Sequence, residues 1–396
     1  WRCGTPVLYY ARTSWFIAMS KLRKELLANN KNIYWVPDHV KEGRFGEWLR
    51  EAKDWNFSRE RYWGAPLPIW ECKKCGTHEV LGSMDELSKR AGGAKNKYIA
   101  LRHGEAEGNV RGILDSGDQG FHLTTLGKDQ VKQAAKKLKK ENIDLVIASD
   151  IARTKETVKI VADVLSVESV ILDKRLREIN VGSLSGQPLA AYHKLYQTPE
   201  REFNWKHEPQ AETLREVRIR AWDFLRDAEK KYIGKRILLV SHEDTIWMLS
   251  QIADGLTERE LAERKAKNGG VFLRPGMSIP LRLKTIPRNY TGEVDLHRPF
   301  VDEVTLPCKK CKGEMHRVPE VADVWYDSGA MPYAQEHFPF ADTNSKLKTQ
   351  NSKLPAAFPA DYIAEGIDQT RGWFYTLVAI ATALGYPAPF KNVVCL

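Results

Sequence analysis

Long hydrophobic runs are missing from this sequence of 396 residues. The most apolar stretch, "FYTLVAIATALGYPA" (Phe374–Ala388), is too short and too interrupted to cross a bilayer, which takes about 20 apolar residues. The N-terminus also lacks the basic, apolar and small-residue succession of a secretory signal. A soluble cytoplasmic protein with no membrane role is therefore expected. Cysteine is scarce too, with six in the chain. Four of them form two CxxC pairs, and without a secretory signal such pairs argue for a metal rather than for disulfides. Cys3 and Cys395 sit near the two ends. With 42% hydrophobic and 28% charged residues the chain is not generally disordered, and its length implies two or three domains. A formal charge of +10 suits an approach to RNA phosphates or simply a solvated basic surface. The text begins at Trp1 rather than Met, and a fragment of something longer is expected.

From Lys97 onward strand and helix signals alternate. "KYIAL" reads as a strand ending at Arg102-His103-Gly104, and "IDLVIAS" and "RILLVS" as two more, the last ending at His242. "TTLGKDQVKQAAKKLKK" places Val131, Ala134, Ala135 and Leu138 at helical spacing, with lysines on the other face. Such alternation implies a largely parallel sheet covered on both sides, whose strand ends bring functional groups to one edge. Arg102, His103, Arg153, Glu178 and His242 all fall at or just past strand ends. One histidine after a strand is ordinarily structural, but that reading does not account for two His, two Arg and one Glu in such places.

The pieces "LRHGEAEGN", "LTTLGKDQ", "SDIARTKET", "LREINVGSLSG", "PQAETLREV" and "VSHED" resemble, in order and spacing, the histidine phosphatase superfamily that includes phosphoglycerate mutases. The resemblance covers roughly Lys97 to Leu283 and implies a three-layer α/β/α domain acting on a phosphorylated small molecule. It also implies that His103 attacks phosphorus, that Arg102, Arg153 and His242 surround the phosphoryl oxygens, and that Asn109 adds a hydrogen bond. Glu178 would protonate the leaving oxygen and then activate water. This chemistry needs no cofactor. Two positions depart from the common pattern: Glu243 follows the second His where many relatives have Gly, and "PQAET" replaces "GES"-like text.

Outside that segment aromatic and Arg-rich phrases dominate, among them "IYWVPDHVKEGRFGEWLREAKDWNFSRERYWGAPLPIWECKKCG", "LHRPFVDEVTLPCKKCKG", "VPEVADVWYDSGAMPYAQ" and "FPADYIAEGIDQTRGWFYTLVAIATALG". "VWYDSG" reads as the end of a strand-like run followed by a turn. "WGAPLP" reads as a rigid turn fixed by Gly64, Pro66 and Pro68. Glu365, Gly366, Asp368 and Gln369 precede an apolar helix, where on local sequence Asp368 reads first as a helix cap and second as a ligand contact. Cys72/Cys75 and Cys308/Cys311 form two compact knuckles that together supply the four thiolates of a tetrahedral zinc site, with unpaired cytosolic thiols as the alternative.

These flanks resemble consecutive pieces of a class I isoleucyl-tRNA synthetase. The resemblance implies a Rossmann-like α/β core fragment at 1–71 and 321–396, a structural zinc-knuckle element at 72–93 and 292–320, and the phosphatase-like domain inserted at 97–283. It implies that Glu365, Gly366, Asp368 and Gln369 contact aminoacyl-adenylate. Trp325 and Trp373 would line the amino-acid pocket, ordinary core packing being their other reading. ATP, Mg, isoleucine and tRNA are then the cofactors and partners of the whole synthetase. A silent binding or spacer role is the alternative for the insertion, and a chain that is essentially a phosphatase is the alternative for the whole. Neither a HIGH-type nor a KMSKS motif occurs. "AMSKL" at Ala18–Leu22 reads instead as part of an amphipathic helix, so this stretch is not expected to charge tRNA alone. The repeated tetrapeptide of "NSKLKTQNSKL" at Asn344–Leu354 reads as a polar loop expansion.

Overall fold

A computed structural model describes residues 4, 6, 12–340, 354, 355 and 357–396. Trp1, Cys3 and all of the repeated tetrapeptide segment except Leu354 lie outside the described residues. The chain divides into two compact units, Trp1–Pro68 with Val318–Leu396, and Ile69–Arg317. The cysteine-bearing segments therefore share a unit with the segment expected as the inserted domain.

In the second unit five strands form one sheet: β1 (Lys97–Arg102), β2 (Leu145–Ala148), β3 (Val170–Leu172), β4 (Arg236–Ser241) and β5 (Ser278–Leu281). Their order is β5-β1-β4-β2-β3, parallel throughout except for β5, which pairs antiparallel with β1 at the edge. The strands are apolar on both faces because both faces are covered. Tyr98, Ala100, Ile147, Ile237 and Leu239 pack against α4 (Leu214–Lys231) and α5 (Glu243–Asp254) through residues such as Phe224, Leu225, Ile246 and Leu249. Leu101, Val146, Ala148, Leu238 and Val240 point the other way, against α1 (Thr125–Leu138) and α2 (Ala152–Leu165). Val131, Ala134, Ala135 and Leu138 form the buried face of α1, as their spacing predicts. Thr213 and Glu216 close a capping box that starts α4 within the "PQAETLREV" motif. Further helices, among them α3 (Leu189–Leu195) and α6 (Glu258–Lys267), lie in the connections.

Gly93 and Lys284 pair in an antiparallel bridge, so the segment between them enters and leaves at one place. That is the geometry a domain inserted into a loop requires. Beyond the bridge, Ile69–Cys72, His78–Val80, Leu306–Pro307 and Glu314–Arg317 form a small antiparallel sheet. Trp70, Leu81, Leu87, Val304 and Met315 fill its core, and Trp70 Nε1 donates to the Val304 carbonyl at 2.7 Å.

The first unit holds a parallel sheet of Ala360–Glu365, Phe390–Cys395 and Tyr34–Val36. The helices Arg23–Lys31 and Trp373–Ala383 pack there around Leu26, Trp35, Phe374, Val378 and Val393. Met19 and Leu26 are buried, so "AMSKL" opens an amphipathic helical segment as expected. Gly64 lies at φ +146°, and a Cβ there would meet Val321 Cγ2 at 2.9 Å, which explains a glycine in the "WGAPLP" turn. "VWYDSG" departs from its reading. Only Val321–Ala322 is extended, and Val324–Ala334 is a helix that Asp323 caps by accepting from Trp325 N at 3.1 Å. The aromatic and β-branched run suggested a strand, and the cap decides for a helix.

Candidate active site and metal centre

His103 directly follows β1 and is 2% exposed. Its Nδ1 lies 2.7 Å from the Gly104 carbonyl. A carbonyl only accepts, so Nδ1 carries the proton and Nε2 presents a lone pair. Arg153, near the start of α2, donates from Nε to that Nε2 at 3.1 Å. Burial first, then the positive field of Arg153 and Arg102, hold the His103 pKa well below the usual imidazole range. The ring is thus neutral and nucleophilic at ordinary pH.

The loop is held by backbone packing. A Cβ at Gly104 would fall 2.3 Å from the Gly127 carbonyl oxygen, and one at Gly127 2.0 Å from that of Glu105. The "RHGE" and "TTLG" motifs occur together because their backbones touch. Glycines leave room for that contact.

His242 directly follows β4 and is fully buried, its ring centroid 5.1 Å from that of His103. Its Nε2 shares a 2.9 Å hydrogen bond with Ser149 Oγ, while Nδ1 is buried without a partner among the described residues. Burial and the nearby Arg153 keep it neutral as well. Arg102 donates from Nη1 to Glu243 Oε2 and to the Leu273 carbonyl, each at 2.5 Å, and its Nε is buried without a partner among the described residues. Glu178 faces the same cavity of about 430 Å³, which Arg102, His103, Asn109 and Arg153 also line. Burial, reinforced by the Asp244 carboxylate, pushes Glu178 up to about 7. The five strand-end residues are thus brought together. Asn109 lies at the cavity wall, where its Oδ1 accepts from Ala106 N at 2.9 Å.

Sequence reasoning missed two carboxylates. Asp115 ion-pairs with Arg153 Nη1, and its carbonyl accepts from Nη2 at 3.1 Å. It sits in a loop where its Oδ1 accepts from Gly117 N at 2.7 Å, and the Asp-Ser-Gly turn was the one available signal. Glu243 was noticed only as a departure from a pattern, and it is the partner of Arg102.

The four knuckle cysteines converge. Cys72 and Cys311 sulfurs are 3.5 Å apart, Cys75 and Cys308 3.7 Å, and all four lie within 4.8 Å of one another. A tetrahedral zinc with bonds of about 2.3 Å sets its sulfurs about 3.8 Å apart, so the cluster fits that ion.

Glu365, Gly366, Asp368 and Gln369 lie at the end of a strand and in the turn before Trp373–Ala383. The cap of that helix is Gln369, whose Oε1 accepts from Trp373 N at 2.9 Å, and not Asp368. Among the described residues Asp368 accepts only from Gln369 Nε2, at 3.1 Å, and Glu365 is exposed. Trp325 is 41% exposed and stacks near Gly372, where a Cβ would meet its ring at 3.1 Å, while Trp373 is half-buried. No helix among the described residues is long and apolar enough to cross a membrane.

Residues 98–273 match the family "Histidine phosphatase superfamily (branch 1)". Residues 7–118 and 284–396 match "tRNA synthetases class I (I, L, M and V)". Among curated proteins the chain is similar to the isoleucine–tRNA ligases of Dehalococcoides mccartyi, at 26% identity over all of this chain and 19% of the relative, and of Thermus thermophilus, at 27% over all of this chain and 18% of the relative. The chain thus spans about a fifth of the length of the curated relatives it matches. Among solved structures it is similar to a phosphoserine phosphatase from Entamoeba histolytica (21% identity, 47% of this chain and 89% of that one, TM-score 0.40). It is also similar to Bacillus stearothermophilus YhfR (20% identity, 51% and 98%, TM-score 0.41). Because the synthetase match takes in more than half of its residues, on both sides of the phosphatase-like segment, the chain belongs to the class I tRNA synthetases of the I, L, M and V group.

Proposed function

We propose that this chain is part of a cytoplasmic isoleucine–tRNA ligase in which a phosphatase has been inserted between the halves of a zinc knuckle. The inserted domain, 97–283, hydrolyses a phosphomonoester through a phosphohistidine. The observation that carries this reading is a neutral His103 whose Nε2 faces the arginines and accepts from Arg153 Nε at 3.1 Å, while Arg102 Nε and His242 Nδ1, both buried, lack partners among the described residues. Buried polar atoms are rarely left so, and a phosphoryl group would satisfy them.

In the first step His103 Nε2 forms a bond to phosphorus as the bond to the ester oxygen breaks, and Glu178 gives its proton to that oxygen. In the second, Glu178 takes a proton from water, the hydroxide attacks phosphorus, and the P–N bond returns its electron pair to His103. A carboxyl poised at about 7 suits both halves. Arg102, Arg153 and His242 hold the phosphoryl oxygens, and Asn109 supports the loop from which they are reached.

Cys72, Cys75, Cys308 and Cys311 would hold zinc as thiolates and so fasten the small sheet. In the whole ligase, Glu365, Gly366, Asp368 and Gln369 would contact the adenylate formed from isoleucine and ATP with Mg. Trp325 and Trp373 would wall the amino-acid pocket, and tRNA would be the acceptor. Hydrolysis of an aryl phosphate by the parent beside an identically purified His103→Ala variant tests the phosphatase. Activity only in the parent supports it, and inactivity of a folded parent leaves a spacer role.

A further inference from the structure

Each arginine of the phosphoryl subsite already carries its own carboxylate. Arg153 is paired with Asp115 and Arg102 with Glu243, and all four side chains are less than one-fifth exposed. The two histidines are neutral, so the fixed charge immediately around His103 is close to zero despite two guanidiniums. Glu243 also fixes the cavity wall. Its Oε1 accepts from Phe272 N at 2.7 Å, while Gly269, Gly270 and Val271 of the same loop line the cavity. Arg102 has a second tether, the Leu273 carbonyl on Nη1, so its placement does not depend on Glu243 alone. Its Nε remains free for an oxyanion, and among the described residues Nη2 makes no hydrogen bond.

We propose that Glu243 is a tuning residue that sets how tightly the subsite holds free phosphate: it keeps Arg102 oriented while cancelling its charge, so that orthophosphate leaves after each turnover. This rests on the phosphatase reading of the cavity. A unit negative charge one residue's width from a bound dianion, in a site with an effective dielectric near ~20, weakens that anion by roughly tenfold or more. In the transition state the charge is spread over three equatorial oxygens, and a fixed carboxylate costs it less than it costs the compact product.

The test measures orthophosphate affinity by isothermal titration, and as a competitive inhibitor of aryl phosphate hydrolysis, for the parent, Glu243→Gln and Glu243→Gly. The expected result is phosphate bound about tenfold tighter or more in Glu243→Gln, with KM lowered and kcat lowered or unchanged. Glu243→Gly should shift in the same direction because Leu273 still holds Arg102, and it serves if the amide variant does not fold. Structural damage weakens binding, so tightening is a readout that a purely structural role would not produce. Phosphate bound equally or more weakly in a folded variant overturns the proposal. A parent that binds phosphate yet turns over no ester overturns the phosphatase reading instead, and titration alone still decides the role of Glu243.

Discussion

Glu178 makes the sharpest claim on chemistry, because its value of about 7 lets one carboxyl serve as acid and then as base. An alkyl phosphate has a poor leaving group that must be protonated, whereas p-nitrophenolate leaves unaided. Once each rate is corrected for the ionisation of its own substrate, the ratio of kcat/KM for an alkyl ester over the aryl ester therefore reports the protonated fraction of Glu178. With a value near 7, roughly 1% of Glu178 is protonated at pH 9, so the ratio falls about 100-fold between pH 6 and pH 9. Glu178→Gln should lower kcat/KM for the alkyl ester by about 10²- to 10⁴-fold and leave kcat/KM for the aryl ester, which reports only the first step, largely unchanged, while kcat falls for both because water has lost its base. Stability gives an independent check. The folded state raises this carboxyl from 4.5 to about 7, so its stabilising contribution is complete below about 4.5 and is lost as pH rises through 7. At pH 8 Glu178→Gln should therefore stabilise the domain by up to about 3 kcal/mol in denaturant melts. A ratio that stays flat from pH 6 to 9 in an active parent would refute the assignment of Glu178 as the acid.

Asp115→Ala removes the carboxylate that holds Arg153 and should lower kcat/KM by about 100-fold, read with aryl phosphate, while His103 remains buried. Zinc analysis of the purified protein should return one ion per chain, and Cys308→Ser should cut that content sharply with little change in phosphatase kinetics. Gly127→Ala places a methyl 2.0 Å from the Glu105 carbonyl oxygen and should destabilise the inserted domain by about 2 kcal/mol or more, seen as a lower melting temperature.

The residues legible in the sequence are those whose position follows from a period or a spacing. His103, Arg153 and His242 stand after apolar runs, where parallel strands deliver them to one edge, and the CxxC pairs announce their own geometry. Asp115 was hidden because it sits in a loop with no periodicity and acts only through Arg153, a partner 38 residues away. Glu243 was hidden differently, since a glutamate in the first turn of a helix looks like an ordinary dipole partner. The misread of "VWYDSG" has a local cause as well. β-branched and aromatic residues favour strands, and only Asp323 accepting from Trp325 N marks the helix start.

On the proposed reading a domain sits between the two halves of a metal site, which raises a question of loop entropy. Cys75 and Cys308 are 233 positions apart, and closing a flexible loop of that length is costlier than closing a short one. Because Gly93 and Lys284 pair, the folded insert behaves as a short link, leaving roughly 40 flexible residues, and the logarithmic law makes the difference about 1.5 kcal/mol. Unfolding the insert should thus weaken zinc binding about tenfold without abolishing it. Leu239→Asp, which buries a charge at a fully buried position of β4, provides the perturbation, and competition with a chromophoric chelator provides the readout. A loss greater than about a thousandfold would mean that contacts such as Arg218 with Glu293, rather than chain closure, hold the knuckle together.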